Sequence, residues 1–220
     1  GWNEASTVQL SFSKGDLILG YAGNYAGGLI GRLSGGSIVS NCYSQVNVSG
    51  QTSNSNILGG FIGYNDSSTV EYSYSSATVD TGTSLGGFVG YNSSGTYTDC
   101  FWDSEVNSSN VSYDMGYDTS NGSNYNGNTE ITAEDTIDLK TESTFTDAGW
   151  DFDVEETNGT GDYWSINSSY PYFVDIELSI AGIIYDQVYG SYLASALEIV
   201  LMVEGVETQT TTSSSSDGTF

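Results

Sequence analysis

Short apolar pairs flanked by glycines recur through the first half of the chain. The three blocks, whose starts are 32 and 27 residues apart, are Gly27-Gly28-Leu29-Ile30-Gly31, Gly59-Gly60-Phe61-Ile62-Gly63 and Gly86-Gly87-Phe88-Val89-Gly90. β-branched and aromatic pairs favour strands, and the glycines around them permit tight bends and a close approach of backbones. Cys42, Ser73 and Cys100 follow at matching positions, 14 or 15 residues after the start of each block. The pattern therefore indicates an internal repeat.

Alternation after the first block predicts further strands. Tyr43-Ser44-Gln45-Val46-Asn47-Val48 places apolar and polar side chains on opposite faces. A few such strands per repeat, joined by turns rich in Gly, Asn and Ser, make one coil of a β-solenoid. One coil cannot bury its apolar face alone, whereas stacked coils share a core. The predicted fold is all-β, a short β-solenoid of Gly-Gly-x-x-Gly repeats. An antiparallel sandwich of short strands is the alternative.

The pattern divides the chain into four regions. Residues 1–25 are lead-in strands or an N-terminal cap, 26–113 are the solenoid repeats, 114–174 are a loop and a closing segment, and 175–220 are a partial β-sandwich-like module. Within the third region, residues 114–129 are predicted to be a loop.

Two further features are expected after that loop. Thr132–Lys140 allows a short helix, since Thr132 can cap it and apolar residues follow. The closing segment supplies large apolar groups that we expect to cover the open end of the solenoid, namely Trp150, Phe152, Trp164, Tyr170 and Phe173.

The repeat also resembles a known family. Gly27–Gly31 followed by Ile38–Ser44, with a third repeat that runs into Cys100–Asp103, is similar to the GLUG repeat of bacterial and archaeal surface and adhesin-like proteins. Lys140–Phe152 and Tyr170–Phe173 resemble the segment that closes such arrays. The resemblance implies a modular surface protein without catalytic residues. In the second repeat Tyr72 and Ser73 replace the Asn-Cys pair, which predicts a less regular coil.

The last region differs from the repeats. Ile180–Asp186 and Ala196–Val203 predict two strands, and the segment resembles the opening of a carboxypeptidase-regulatory-like β-sandwich module. About half of such a module is present. Either the chain is a fragment, or a neighbouring chain supplies the missing strands by strand addition.

Charge and composition exclude several partner classes. The chain has 28 acidic and 3 basic residues, a formal net charge of −25 and no histidine. So few cations cannot neutralise a phosphate backbone, and an anionic membrane would repel the chain. No segment has the ~20 apolar residues of a membrane span. We expect an extracellular or cell-surface location with no nucleic-acid partner and no membrane insertion.

The two cysteines are predicted to be buried free thiols. Cys42 and Cys100 lie two coils apart if the coils stack in register, which places them about 9.6 Å apart at ~4.8 Å per strand. A disulfide, which needs Cα atoms within ~7 Å, is the alternative.

Candidate chemistry is sparse, and we predict neither a catalytic residue nor an organic cofactor. The acidic pairs Asp99/Asp103, Asp151/Asp153 and Glu155/Glu156 would suit glycoside hydrolysis, but so many acids make close pairs inevitable. A loop that contains Asp114, Asp118, Ser120, Asn121 and Asn124 is a candidate calcium site, and an ordinary hydrated turn is the alternative.

Asn-x-Ser/Thr sequons mark candidate glycosylation sites and exposed turns. They lie at Asn47, Asn65, Asn92, Asn107, Asn110, Asn121, Asn158 and Asn167.

Tyrosines supply the most specific binding suggestion. Tyr64 and Tyr91 follow their glycine blocks at equivalent positions, so they predict a ladder on one face; Tyr113, Tyr117 and Tyr125 are further candidates. Such rings can stack on sugars or on one another between coils. The predicted function is a structural or adhesive surface protein, for example a repeating subunit of a filament, sheath or surface layer. Its expected partners are copies of itself, other surface proteins or glycans. A carbohydrate-binding module is the alternative, followed by a glycan-cleaving β-helix enzyme.

Overall fold

The structure is a computed structural model that describes residues 1–19, 25–50, 56–107, 111–153, 155–174, 185–186, 191–192, 198–203 and 206–212. The chain divides into two compact units, Gly1–Val174 and Asp175–Phe220. The first unit is a β-solenoid of about four turns, which confirms the predicted fold.

The strands of the solenoid are short and follow one another closely. In chain order they are β1 (Trp2–Glu4), β2 (Thr7–Ile18), β3 (Tyr25–Gly27), β4 (Ile30–Ser34), β5 (Ile38–Ser49), β6 (Ile57–Gly59), β7 (Ile62–Asp66), β8 (Thr69–Glu71), β9 (Tyr74–Ser75), β10 (Val79–Asp80), β11 (Ser84–Gly86), β12 (Val89–Ser93), β13 (Thr96–Thr98), β14 (Cys100–Asp103), β15 (Met115–Asp118), β16 (Ser123–Tyr125) and β17 (Ile131–Glu134). A 3-10 helix (Asp138–Lys140), helix α1 (Glu142–Thr146), β18 (Trp164–Ser165) and β19 (Tyr172–Phe173) follow.

Three sheets form the sides of the solenoid, and their strands are parallel from one coil to the next. The first sheet contains β3, β6 and β11. The second contains β1, β4, β7, β12 and β15, with β16 added antiparallel at one edge. The third is built around the long strand β5, which pairs with β2 on one side and with β8, β9 and β10 on the other.

The register between coils matches the alignment of the repeats. Gly27, Gly59 and Gly86 are paired across the first sheet. In the second sheet Ile30 pairs with Ile62, and Ile62 pairs with Val89. Each ladder places the equivalent residues of successive coils one above another along the solenoid axis. A residue that repeats in the sequence therefore contacts its counterpart in the next coil.

The interior consists of such ladders. Phe61 and Phe88 stack with ring centroids 4.8 Å apart, and both are fully buried. Ile30, Ile62, Val89 and Met115 form the neighbouring ladder of the same core cluster. Stacking of this kind gives each coil a buried apolar face that it could not have alone.

The lead-in forms part of the stack. Strand β1 pairs with β4, and β2 pairs with β5 from Thr7 to Ile18. The parallel pairing continues the geometry of the later coils on their N-terminal side.

A further coil lies where a loop was predicted. Within residues 114–129, β15 pairs in parallel with β12, so that Met115 lies beside Val89 and Asp118 beside Asn92. The loop prediction is therefore wrong for β15 and β16. This coil lacks the double glycine and the core aromatic residue of the earlier blocks. It therefore does not match the motif by which the other repeats were recognised. The backbone N–H and C=O groups at the free edge of β12 need hydrogen-bond partners, and this favours a strand over a loop at residues 115–118.

The predicted helix at Thr132–Lys140 is also displaced. Its first residues belong to β17, in which Ile131 pairs with Cys100 and Glu134 with Asp103. The 3-10 helix and α1 follow. Pairing with the exposed edge of β14 satisfies backbone groups along the whole strand, which outweighs a weak helix propensity.

The closing segment packs along a side of the solenoid, so the expectation that it covers the open end is wrong. It lies on the outer face of the third sheet, over a row of rings that we call the covered row: Phe12, Tyr43, Tyr74 and Phe101. Trp164 Nε1 donates to Asn41 Oδ1 at 3.1 Å, and Trp150 Nε1 donates to the Asp99 carbonyl at 2.9 Å. Asn41 and Asp99 are two coils apart, so these two hydrogen bonds connect the closing segment to different coils and hold the coils together.

A left-handed residue recurs at one bend of the coil. Leu10, Asn41, Tyr72 and Asp99 have φ angles of 47°, 50°, 45° and 47°. Each directly precedes the position shared by Cys42, Ser73 and Cys100. The second repeat therefore bends at this position as the others do. Its strand is nevertheless broken into β8, β9 and β10, where the first repeat has the continuous strand β5, as the prediction of a less regular coil implies.

The repeat glycines are required by close approach between backbones. A Cβ on Gly60 would lie 2.2 Å from the Gly87 carbonyl oxygen, and one on Gly59 would lie 2.0 Å from the Ile62 carbonyl oxygen. The φ angles of Gly59 and Gly60 lie outside the left-handed region, so space rather than backbone conformation selects glycine there.

The second unit is described over four strands. Strand β20 (Tyr185–Asp186) pairs with β21 (Ser191–Tyr192), and β22 (Glu198–Val203) pairs with β23 (Val206–Thr212), both antiparallel. Strand β22 lies in the predicted segment Ala196–Val203. Strand β23 was missed because its polar Thr-rich sequence lacks apolar alternation. The rest of the predicted strand Ile180–Asp186 lies outside the described residues.

Gly60→Ala is expected to destabilise the solenoid strongly. The added methyl group overlaps the backbone of the next coil, which must shift. We expect a loss of roughly 1–3 kcal/mol in the free energy of unfolding. Chemical denaturation followed by tryptophan fluorescence measures this loss.

Gly127→Ala is the matched control. Gly127 is exposed, and a Cβ there meets its nearest neighbour at 3.4 Å, an ordinary contact. Equal stability changes in the two variants would contradict the close approach of the coils.

Candidate binding face

One face of the second sheet carries a continuous row of large side chains. Trp2 pairs with Arg32, Arg32 with Tyr64, and Tyr64 with Tyr91 in successive coils. Tyr117 continues the row one coil further, next to Tyr91. We call these five residues the outer row. It exists because strand register repeats the same position from coil to coil.

Contacts along the outer row are uniform in spacing. The ring centroids of Tyr64 and Tyr91 are 5.2 Å apart, and those of Tyr91 and Tyr117 are 5.0 Å apart. The second pair is stacked, whereas the first is perpendicular. Tyr25, from the first sheet, stacks on Tyr64 at 4.8 Å. The row thus offers one aromatic contact per coil, with Trp2 exposed to 65% at its N-terminal end.

A cation lies within the row. The Arg32 guanidinium carbon is 5.1 Å from the centroids of both Trp2 and Tyr64, which is the geometry of a cation–π sandwich. Arg32 also pairs with Asp66 at 3.2 Å, and both side chains are about one-third exposed. The pair leaves this part of the face close to neutral in an otherwise acidic chain.

Polar groups flank the rings. Asp66 and Ser93 are paired in register, one position after Asn65 and Asn92 on their strands. Burial by its neighbours raises the pKa of Tyr91, and Tyr117, Tyr64 and Tyr25 add to the effect. Its phenol therefore stays protonated and can donate a hydrogen bond at physiological pH. The face combines apolar ring surface with neutral hydroxyl groups.

Sequence reasoning found part of this face. Tyr64, Tyr91 and Tyr117 lie in the outer row. Tyr125 packs against the core, and its hydroxyl donates to the Gly127 carbonyl, while Tyr113 is exposed outside the row. Trp2, Arg32 and Tyr25 were missed, although the alignment of the lead-in and first block with later coils would have placed Trp2 and Arg32.

The outer row and the covered row differ in whether another segment packs on them. In the covered row, Phe12 stacks on Tyr43 at 5.0 Å and Tyr43 on Tyr74 at 5.2 Å, and the closing segment then packs on these rings. No described residue of the first unit packs on the outer row in the same way; Tyr25 alone adds a ring from an adjacent sheet. Tyr64, Tyr91 and Tyr117 thus stay partly exposed. Tyr43, Tyr74 and Phe101 of the covered row are buried, and Phe12 at its end is 49% exposed.

The paired acids hold local structure together. Asp103 is buried, and its Oδ1 accepts the backbone N–H groups of Glu105 and Val106 at 3.0 Å each. Its Oδ2 accepts the hydroxyls of Thr136 and Tyr170 at 2.7 and 2.5 Å. This carboxylate therefore joins the solenoid to the closing segment.

Of the other acids of the candidate pairs, Asp151 and Glu155 also accept hydrogen bonds, and Asp99 has a shifted pKa. Desolvation raises the pKa of Asp99, with a smaller effect of Glu130. The Glu155 carboxylate accepts the Thr157 hydroxyl and backbone N–H groups, which lower its pKa. Asp151 Oδ2 accepts the Gly161 N–H at 2.7 Å.

The candidate calcium ligands lie in the last coil. Asp118 is buried, and its two oxygens accept the side-chain amides of Asn92 at 2.8 Å and Asn121 at 2.5 Å. Asp114 occupies the core position of Phe61 and Phe88, while Ser120 and Asn121 lie in an exposed turn with Asn124 nearby on β16. Among the described residues no group of three or more Asp, Glu or Cys is placed to hold a metal ion. Calcium binding here stays a prediction.

Burial restricts the candidate glycosylation sites. Asn65, Asn92 and Asn107 are buried, and the side-chain amides of all three donate hydrogen bonds inside the solenoid. A glycan on these nitrogens is incompatible with the folded chain, which corrects the prediction for the three sites. Asn47, Asn121 and Asn167 are exposed, and Asn158 is partly exposed with its amide bonded to two carbonyls. Asn110 lies outside the described residues.

The two cysteines are free and buried, as predicted. Cys42 precedes Tyr43 and Cys100 precedes Phe101, and both rings pair with Tyr74 of the coil between them. The thiols therefore lie two coils apart. Burial raises the pKa of each to about 12.

Neither thiol should react with a water-soluble disulfide reagent in the folded protein at pH 8. Each group is both inaccessible and protonated, whereas the unfolded chain has a thiol pKa near 8.5. We expect two equivalents to react after addition of denaturant and none before. A folded chain with one or two rapidly reacting thiols would contradict the burial of this ladder.

Asp114 should make stability depend on pH. It is buried in a core position, and desolvation raises its pKa from 3.8 to about 6. A raised folded-state pKa means that the favourable contribution is complete below pH ~4 and is lost as the pH rises through about 6. Asp114→Asn should therefore raise the free energy of unfolding at pH 8 by on the order of 1–3 kcal/mol, but not at pH 3.5.

Denaturation at several pH values measures this dependence. Asp147→Asn is the control, because Asp147 is exposed on the surface after α1. A stabilisation by Asp114→Asn that is the same at both pH values would contradict the assignment.

Comparison with known families places a motif on the repeats. The family model described as the GLUG motif matches residues 22–49 and 54–80, which are the first two glycine blocks with the strands that follow them. The third block and the coil of β15 lie outside these two matches but keep the same register. No curated protein and no solved structure matches the chain. The match gives no support to the resemblance of residues 175–220 to a carboxypeptidase-regulatory-like module, which stays a prediction. The chain therefore carries two copies of the GLUG motif, at residues 22–49 and 54–80.

Proposed function

We propose that the chain is a non-enzymatic module of an extracellular or cell-surface protein, with a structural or adhesive role. GLUG repeats occur in extracellular and surface proteins. The observation that carries the proposal is the outer row, a periodic aromatic face on a rigid solenoid that the described chain leaves open. A rigid array of equivalent contacts suits attachment, because it is already ordered before a partner arrives.

The acidic residues support a non-enzymatic role. The sequence has no histidine, and the candidate acids Asp103, Asp151 and Glu155 accept hydrogen bonds that fix turns and join segments. General acid–base catalysis needs groups free to exchange protons with a substrate. The carboxylates engaged in this way serve the fold instead.

The partners proposed are other copies of the chain, other surface proteins or glycans. A net charge of −25 keeps the chain soluble in salt and repels polyanions, so nucleic acid is excluded from the proposal. Within the part of the chain that the structure describes, no helix has the length and hydropathy of a membrane span.

A carbohydrate-binding module is the second candidate. The outer row favours it, since partly exposed tyrosines beside hydroxyl and carboxylate groups are suited to neutral polar ligands. The glycan-cleaving enzyme has no comparable support, because no candidate acid pair lies on this face.

Immunogold labelling of the source cells tests the location. Antibodies raised against the purified chain should label intact, unpermeabilised cells or the material between them, because the proposal places the chain outside the membrane. An antibody against a cytoplasmic protein is the control for cell integrity. Label confined to the interior of sectioned cells would contradict the proposal.

Electron microscopy of the purified chain tests the structural role. Ordered filaments or arrays that form with increasing concentration are expected for a repeating subunit. Monodisperse particles at every concentration would leave adhesion as the remaining role.

A further inference from the structure

We propose that the outer row binds a linear, uncharged polysaccharide that runs along the solenoid axis, with about one sugar residue for each coil. The inference rests on the proposed function, since it assumes that this open face is used for attachment. It adds the chemical class of the ligand and its direction on the surface.

Periodicity is the first argument. In the outer row the ring centroids of Tyr64 and Tyr91 are 5.2 Å apart, and those of Tyr91 and Tyr117 are 5.0 Å apart. This spacing is close to the length of one pyranose residue in an extended, equatorially linked chain. An extended polypeptide presents side chains on one face at about 6.6 Å, and it would fall out of step after two coils. The row is therefore commensurate with a sugar polymer.

Chemistry of the face is the second argument. Sugar rings have apolar C–H faces and hydroxyl edges, and they bind where aromatic groups lie beside hydrogen-bonding groups. The outer row has such a composition. Tyr91 keeps a neutral phenol, Ser93 and Asp66 flank the rings, and Arg32 provides guanidinium donors that are partly exposed.

Charge selects the class of polysaccharide. The chain carries −25, and Asp66 neutralises the cation of the row at 3.2 Å. A polyanionic glycan would meet repulsion without an unpaired cation on this face to offset it. An uncharged glucan or N-acetylglucosamine polymer meets no such penalty.

Ring orientation restricts the contact. The rings of Tyr91 and Tyr117 stack on each other with an interplanar angle of 21°, so each covers part of its neighbour's face. Tyr64 and Tyr91 are perpendicular, which interrupts the stack between the second and third blocks. The polymer therefore contacts ring edges and phenol groups along most of the row, and individual contacts are weak. Affinity should come from their number.

Length dependence is the resulting signature. Isothermal titration calorimetry with β-1,4-linked glucose and N-acetylglucosamine oligomers of two, four and six residues measures it. We expect binding to strengthen with each added residue and to level off when the oligomer covers the row. Tyr91→Ala, which removes the middle one of the row's three tyrosines, should weaken binding of the hexamer by about 3- to 10-fold.

Controls separate the row from the fold. Tyr163→Ala removes an exposed tyrosine of the closing segment and should leave binding unchanged. Tyr117→Ala provides a second variant at the end of the row, in case Tyr91→Ala unfolds. Thermal melting of each variant identifies a loss of folding.

Three outcomes would overturn the proposal. They are absence of binding to every neutral oligomer, binding that does not change in either row variant, and binding that is independent of oligomer length. A synthetic peptide of residues 145–173, the aromatic closing segment, is titrated in parallel. Binding of that peptide at Tyr91 without sugar binding overturns the proposal in favour of a polypeptide partner. The immunogold result would stand in each case, because surface location does not depend on the ligand.

Discussion

Close contact between the backbones of successive coils is the constraint on which the solenoid depends. Gly27, Gly59 and Gly86 lie one above another. A methyl group on any of them would overlap the carbonyl oxygen three residues later in its own coil and a backbone nitrogen of the next coil, that of Gly63, Gly90 or Gly116. Hydrogen bonds cross at the same place, since the Phe61 N–H donates to the Phe88 carbonyl at 2.9 Å and the Leu29 N–H to the Phe61 carbonyl at 3.0 Å. The glycines thereby fix the height of each coil and the register of all three sheets.

Register has a second consequence on the outside of the molecule. A residue that repeats in the sequence becomes a row in space, and aromatic residues at two such positions become two columns of rings. The chain covers one column with its own tryptophans and phenylalanines, and this packing ties distant coils together. The outer row carries the same spacing without such a cover. The same repetition of side chains thus produces a stabilising contact on one face of the solenoid and the proposed attachment surface on another.

Motifs that recur along the sequence predict the coils in which they occur. Elements that are placed only by pairing with an adjacent coil were not predicted. Glycine blocks and the Cys42 position revealed the coils and their alignment, because each coil repeats the same steric demand. The coil of β15 was missed, since Asp114 replaces the core phenylalanine and the double glycine is gone. Its remaining signal is Gly116-Tyr117-Asp118, which matches Gly63-Tyr64-Asn65 and Gly90-Tyr91-Asn92.

The candidate site shows the same division. Tyr64 and Tyr91 were found because their blocks are clear, but Trp2 and Arg32 differ in residue type and join the row through strand pairing alone. Burial of Asn65 and Asn92 could not be predicted either, because a sequon indicates an exposed turn in most contexts. Here the same residues bridge coils inside the solenoid.

Hydrogen exchange at the junction of the last two coils tests the account most directly. The N–H groups of Phe88 and Val89 both donate to the Asp114 carbonyl, at 3.1 and 2.9 Å, and this partner exists only if residues 114–118 form a stacked coil. The account predicts that these two amides exchange as slowly as those of Phe61 and Ile62, which donate to the preceding junction. Exchange of Phe88 and Val89 at the rate of Ser120, which is exposed in the turn after β15, would contradict in-register stacking through this coil.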